Sequence, residues 1–127
     1  MIRILFIDDD PAYAEEMKFL LKQNGFDVVT ANDGQDAFGM VKEHHFDLVI
    51  TDMLMNKSHG MEVIAHMREF YPKIKIITIS GGGWASPAFH LDSARLFGSD
   101  GCLAKPFKIE VLLKEIRRVM TISDRNP

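Results

Sequence analysis

The sequence predicts a doubly wound α/β domain: a five-stranded parallel sheet, in the order 2-1-3-4-5, flanked by five helices. Two observations predict it. Short apolar runs alternate with amphipathic stretches five times, giving the element order βαβαβαβαβα. Two of those runs, Ile4 to Ile7 and Ile74 to Ile79, are almost continuously apolar or β-branched, with only Lys75 charged, as strands covered on both faces are. Right-handed crossovers then wind such a sheet outward in both directions from its first strand.

The strands read as Ile2 to Ile7, Asp27 to Ala31, Asp47 to Thr51, Ile74 to Ile79 and a short Gly101 to Ala104. In the first helix Tyr13, Met17, Leu20 and Leu21 fall on one stripe; Asp10 is placed to cap it, Pro11 to open it and Asn24-Gly25 to end it. A second helix follows Asp33 with Ala37, Phe38 and Val41 inward. The third carries Val63, Ile64, Met67 and Phe70, and Pro72 stops it. Ser86-Pro87 opens a fourth, with Leu91, Ala94 and Phe97 inward, that closes at Gly98. The fifth sets Ile109, Leu112, Leu113, Ile116 and Met120 against Lys114, Glu115, Arg117 and Arg118 on the opposite side. One domain is expected over residues 1–120, with 121–127 a polar tail or the stub of a linker.

Composition narrows the class. A chain of 127 residues, 46% hydrophobic and 26% charged, can bury one core. Its formal net charge of −3 gives no electrostatic reason to expect nucleic acid or an anionic membrane as a direct partner. Cys102 is the one cysteine, so no internal disulfide forms and a reducing cytoplasm is the natural compartment. No apolar run approaches the roughly 20 residues that span a bilayer, and the apolar start runs into Asp8-Asp9-Asp10, unlike a signal peptide.

In a sheet of this kind ligands bind beyond the carboxyl ends of the strands, at the switch point between strands 1 and 3. Strand 1 delivers Asp8 and Asp9 there, strand 3 Asp52, strand 4 Ser80 and strand 5 Lys105. Carboxylates this close repel: two unit charges ~4 Å apart cost about 4 kcal/mol at an effective dielectric near 20. A divalent cation relieves that cost. An all-oxygen, partly wet donor set favours magnesium, which keeps several waters and takes one or two carboxylates. A carboxylate facing a metal and an ammonium can act as nucleophile toward phosphorus, with a neighbouring hydroxyl free to bond the new phosphoryl group.

The chain resembles the receiver domains of bacterial response regulators. The resemblance is carried by Ile4-Leu5-Phe6-Ile7-Asp8-Asp9-Asp10-Pro11, by Phe46 to Met55 around Asp52 with Gly60, by Ile76-Ile77-Thr78-Ile79-Ser80-Gly81, and by Gly98 to Phe107 with Lys105-Pro106. It implies a flavodoxin-like fold with Asp52 as phosphoacceptor. Asp8, Asp9, Asp52 and the backbone carbonyl of Leu54 would bind Mg2+. Lys105 would contact the phosphoryl group ahead of a cis peptide to Pro106, and Ser80 would supply the hydroxyl that moves on phosphorylation. The implied function is a switch phosphorylated by a histidine kinase or phosphotransfer protein, with no turnover of a separate substrate. Output would pass by protein contact to an output protein or an output domain absent from this chain. A homodimer through helix 4, strand 5 and helix 5 is one such output.

The sequence departs from the family at Cys102, where an aromatic is common, at Asn56, where proline is usual, and in the run Gly81-Gly82-Gly83 after strand 4. Those departures fit an alternative, a pseudo-receiver that binds partners without phosphorylation, but the intact acidic trio, Ser80 and Lys105 do not. A second alternative is a haloacid-dehalogenase-like phosphatase using Asp8. It lacks the threonine or valine expected at Ala12 and the late acidic metal motif. Asp10 before Pro11 reads as a helix cap rather than a ligand. The five histidines (His44, His45, His59, His66, His90) show no metal-ligand spacing and are expected at solvated or edge positions.

Overall fold

The computed structural model describes residues 1–53, 60–80 and 98–122. Five strands, β1 (Arg3–Ile7), β2 (Asp27–Ala31), β3 (Leu48–Asp52), β4 (Lys75–Ser80) and β5 (Gly101–Ala104), form one parallel sheet in the order β2-β1-β3-β4-β5. Four helices lie among the described residues: α1 (Pro11–Gln23), α2 (Gly34–Glu43), α3 (Gly60–Phe70) and the C-terminal α4 (Ile109–Met120). The helix expected from Ser86-Pro87 falls outside the described residues, as do Leu54, Asn56, His59, His90 and the glycines at 81–83. No described helix is long and apolar enough to cross a membrane.

Alternation along each strand sorts the core into two layers. Leu5, Ile7, Val49 and Ile76 face one way and pack with Ala37 and Val41 of α2 and Val63, Ile64 and Met67 of α3. Ile4, Phe6, Leu48, Ile50, Ile77 and Ile79 face the other and meet Ala14, Met17 and Leu21 of α1 and Leu112, Ile116 and Val119 of α4. Burial on both faces explains why these strands read as unbroken apolar runs instead of alternating ones.

The caps follow their local chemistry. Asp10 accepts the amides of Ala12 and Tyr13 at 3.1 and 3.3 Å, and Asp33 accepts that of Asp36 at 2.9 Å. Gly25, just past the end of α1, has φ of +91°, the left-handed conformation that only glycine enters without strain.

Several positions differ from the sequence pattern. β1, β3 and β4 each begin one residue later than expected; Asp47, expected to open β3, instead accepts the Arg3 amide on its carboxylate at 2.8 Å. β3 and β4 in turn run one residue further, so Asp52 and Ser80 are the last residues of their strands. Phe70, expected inward, is 59% exposed, since the helix ends there and the chain is already turning back toward β4. It packs at a tilt against His66, whose ring stacks on that of Phe38 at 3.9 Å and lies 4.9 Å from that of Phe70, so His66 sits at a partly buried edge. Val119, outside the expected stripe of the last helix, is fully buried. Glu115, expected to face solvent, points inward to accept the Cys102 amide at 3.2 Å and is also held by Arg118.

A buried clasp also ties α3 to β4 and to the segment entering β5. The Arg68 guanidinium donates to Asp100 at 2.7 Å and to the carbonyls of Gly98 and Ile74 at 2.9 and 2.6 Å, while the Asp100 carboxylate accepts the Ile76 amide at 2.8 Å.

Candidate functional site

Four strand ends meet on one edge of the sheet. Asp8 and Asp9 follow β1, Asp52 ends β3, Ser80 ends β4 and Lys105 follows β5. Because these four strands are successive neighbours, their ends are brought side by side whatever the side chains prefer. Backbone bonds fix the last increments: the Lys105 amide donates to the Ser80 carbonyl at 2.8 Å, and the Met53 amide to the Ile79 carbonyl at 2.9 Å. The peptide bond from Lys105 to Pro106 is cis, as the resemblance implied.

Lys105 is the hub. Its Nζ lies 3.4 Å from Asp8 Oδ2 and 3.3 Å from Asp52 Oδ2, and 4.2 Å from the centre of the Tyr13 ring. Side-chain exposure is 3% for Asp8, 13% for Asp52 and 24% for Lys105, so water reaches the site without filling it. The second oxygen of Asp8 accepts the Asp10 amide at 3.0 Å. The three consecutive aspartates therefore divide their work: Asp8 turns into the site, half-buried Asp9 follows it, and Asp10 caps α1.

Electrostatics follow from that geometry. Burial raises the Asp8 carboxyl above its ordinary value, and the Asp52 charge adds to the rise; the Asp10 amide and the Lys105 charge oppose it without cancelling it. Burial alone would lower the Lys105 ammonium, but the charges of Asp52 and Asp8 outweigh it and hold the group above the usual lysine value. The phenol of Tyr13 is raised, first by burial.

The residues suit magnesium better than an all-protein cage. Among the described residues no three His, Cys, Asp or Glu side chains gather closely enough to hold a metal by themselves. Two carboxylates, Asp8 and Asp52, do converge on one point through Lys105, and Asp8 carries a burial cost that a cation would offset. Magnesium takes one or two carboxylates and keeps its waters, so a pair of carboxylates at a partly water-accessible edge fits it. The Ser80 hydroxyl is fully buried and, among the described residues, has no hydrogen-bond partner. An orphaned donor at the end of β4 costs free energy unless a further acceptor arrives.

Of the residues expected from the sequence, Asp8, Asp52 and Lys105 are brought into contact and Ser80 is bonded to Lys105 through its backbone, while Leu54 lies outside the described residues. One contributor was not anticipated, and a second, Gly60, was read only as part of the motif around Asp52. Tyr13 was assigned to the core stripe of α1, yet its ring carries the lysine; its place in the first turn, at the site edge of the sheet, was the available signal. Gly60 lies so close to β3 that a β-carbon would meet the Asp52 carbonyl oxygen at 2.5 Å and Met53 Cα at 2.9 Å. Its amide closes onto the Met53 carbonyl at 3.0 Å, so the start of α3 rests on the backbone that presents Asp52.

The family model of the response regulator receiver domain matches residues 4–117. The chain belongs to that family. The receiver domain is 34% identical over 94% of its length to the response regulator MprA of Mycobacterium leprae, of which it covers 51%. To ArlR of Staphylococcus aureus it is 29% identical over 94% of its length, covering 53%. The chain thus spans about half the length of these curated relatives. Among solved structures, a response regulator receiver domain protein from Clostridium thermocellum superposes with a TM-score of 0.87 at 29% identity, covering 94% of both chains. The response regulator TrrA of Thermotoga maritima, in complex with Mg2+ and BeF, gives 0.82 at 28% identity over 94% of this chain and 99% of that one. As a receiver domain the chain is a signalling module of two-component systems.

Proposed function

We propose that this receiver domain is switched by Mg2+-dependent phosphorylation of Asp52, accepting the phosphoryl group from a histidine kinase or a phosphotransfer protein. The observation that carries the reading is the meeting of Asp8, Asp52 and Lys105 at one strand edge, with the Lys105 ammonium 3.3 to 3.4 Å from both carboxylates. The solved structure of TrrA with Mg2+ and BeF, at 28% identity, supports the same chemistry here.

An oxygen of Asp52 attacks phosphorus in line. The bond from phosphorus to the donor's leaving atom breaks, and its electron pair departs with that atom. When bound, magnesium would neutralise charge on the transferring phosphoryl oxygens. Asp8, Asp9, Asp52 and the Leu54 carbonyl are the residues proposed to hold it. Lys105 neutralises a phosphoryl oxygen from the β5 side, and the Ser80 hydroxyl, buried and unpartnered among the described residues, donates to another. The switch then passes by protein contact to an output protein or domain.

Incubation with Mg2+ and a small-molecule phosphodonor, read by intact mass, tests this. A gain of one phosphoryl group that is lost in Asp52→Asn and in chelator is expected. No gain would leave a pseudo-receiver, and a gain that survives Asp52→Asn would move the nucleophile to Asp8.

A further inference from the structure

We infer that Tyr13 is a positioning residue for phosphoryl transfer: the face of its ring holds the Lys105 ammonium over the site when the carboxylates let it go. This rests on the phosphorylation of Asp52 proposed above. The ammonium has three partners among the described residues, Asp8 at 3.4 Å, Asp52 at 3.3 Å and the Tyr13 ring at 4.2 Å. Two of the three are compromised by the reaction itself. A divalent cation on Asp8 and Asp52 repels the ammonium and competes for the same oxygens. Esterification of Asp52 then removes the charge from that carboxylate. The carboxylate restraint on Lys105 is therefore weakest once metal is bound and before the phosphoryl group has arrived to hold the ammonium itself.

Tyr13 loses nothing in those steps. Its ring neither ligates nor reacts, and an aromatic face attracts a cation through its quadrupole. The ring is itself fixed. The Tyr13 amide bonds the Asp10 carboxylate at 3.3 Å, and the ring rests against fully buried Phe6 with centroids 6.2 Å apart. Lys105 needs such a restraint because it reaches in from β5, at the edge of the sheet, on a flexible four-carbon stem.

The test compares wild type, Tyr13→Phe, which keeps the ring, and Tyr13→Leu, which keeps apolar bulk alone. In metal-free protein the Lys105 ε-methylene protons, next to an ammonium over a ring face, should resonate upfield in wild type and Tyr13→Phe, and at ordinary shifts in Tyr13→Leu. At saturating Mg2+, phosphorylation of Tyr13→Leu by a small-molecule donor should be about threefold to thirtyfold slower. Tyr13→Phe should run near the wild-type rate. Mg2+ affinity, measured by calorimetry, should not fall in either variant, whereas a site that had merely lost packing would lose metal and rate together. A Tyr13→Leu that reacts at the wild-type rate, that loses Mg2+ affinity with rate, or that is matched by an equally slow Tyr13→Phe overturns the inference. If Tyr13→Leu fails to fold, Tyr13→Met takes its place with the same expectations. A wild-type protein that takes up no phosphoryl group instead refutes the reading of Asp52 on which the inference stands.

Discussion

Replacing Arg68 by alanine removes the cation from a pair in which the Asp100 side chain is only 3% and the Arg68 side chain 16% exposed. The arginine makes one charged bond at 2.7 Å and also donates to the carbonyls of Gly98 and Ile74. The variant keeps the Asp100 carboxylate buried, with the Ile76 amide among its remaining partners. Breaking a buried pair from one side costs about 3–5 kcal/mol, mostly for the uncompensated charge left behind. An unfolding entropy of about 2.1 cal/mol/K per residue makes that a fall in Tm of roughly 11–19 °C for a domain of this size. Urea unfolding at neutral pH should show the loss as a lower midpoint with an unchanged slope. Arg68→Lys should recover only part of it, since an ammonium cannot reach Asp100, Gly98 and Ile74 with the same fork. A loss below about 1 kcal/mol for Arg68→Ala, the scale of an exposed ion pair, would refute the clasp as a buried and coupled unit.

Gly60→Ala should destabilise the fold by about 1–3 kcal/mol, because its methyl has only backbone to displace. Gly39→Ala, in helix α2 with nothing within 4 Å of the new carbon, should stabilise it by about 0.5–1 kcal/mol; thermal melts of the two variants check the contrast, and equal shifts would refute it. Asp8 titrates above its ordinary 3.8 in the folded domain, so between those two values the folded state holds the extra proton. Stability due to Asp8 is then present below 3.8 and lost as pH rises through the raised value. In metal-free protein, Asp8→Asn should therefore gain on wild type as pH climbs from below 3.8 to neutral. Urea midpoints across that range decide the point, and a flat or falling difference would contradict the burial of a charged Asp8.

The sheet order and the convergence of Asp8, Asp52, Ser80 and Lys105 on one edge were legible because each depends on local sequence plus one rule. Apolar runs mark strands, crossovers are right-handed, and whatever follows a strand end shares the edge. What escaped depends on partners far away in the chain. Glu115 looks like a surface residue of an amphipathic helix until the Cys102 amide, thirteen residues back, gives it a reason to turn inward. Arg68 and Asp100, 32 residues apart, carry no periodic signal that couples them. Tyr13 fits an apolar stripe and a cation platform equally well, and only the approach of Lys105 from another strand distinguishes the two. Phe70 obeyed the helical period but fell where the helix ended, and periodicity alone does not locate ends to a single residue.

β5 is the outermost strand on its side of the sheet and, among the described residues, pairs with β4 alone, while the carboxylates that Lys105 reaches hang from the central strand β3 and from β1 beyond it. Edge strands are ordinarily the first to open in local fluctuations, since one flank has no ladder to hold it. Here such an opening would carry off a positive charge and leave Asp8 and Asp52 facing each other in a half-dry crevice. The mutual repulsion of two acids thus resists fraying on the far side of an intervening strand, and Lys105 acts as a stitch across the sheet.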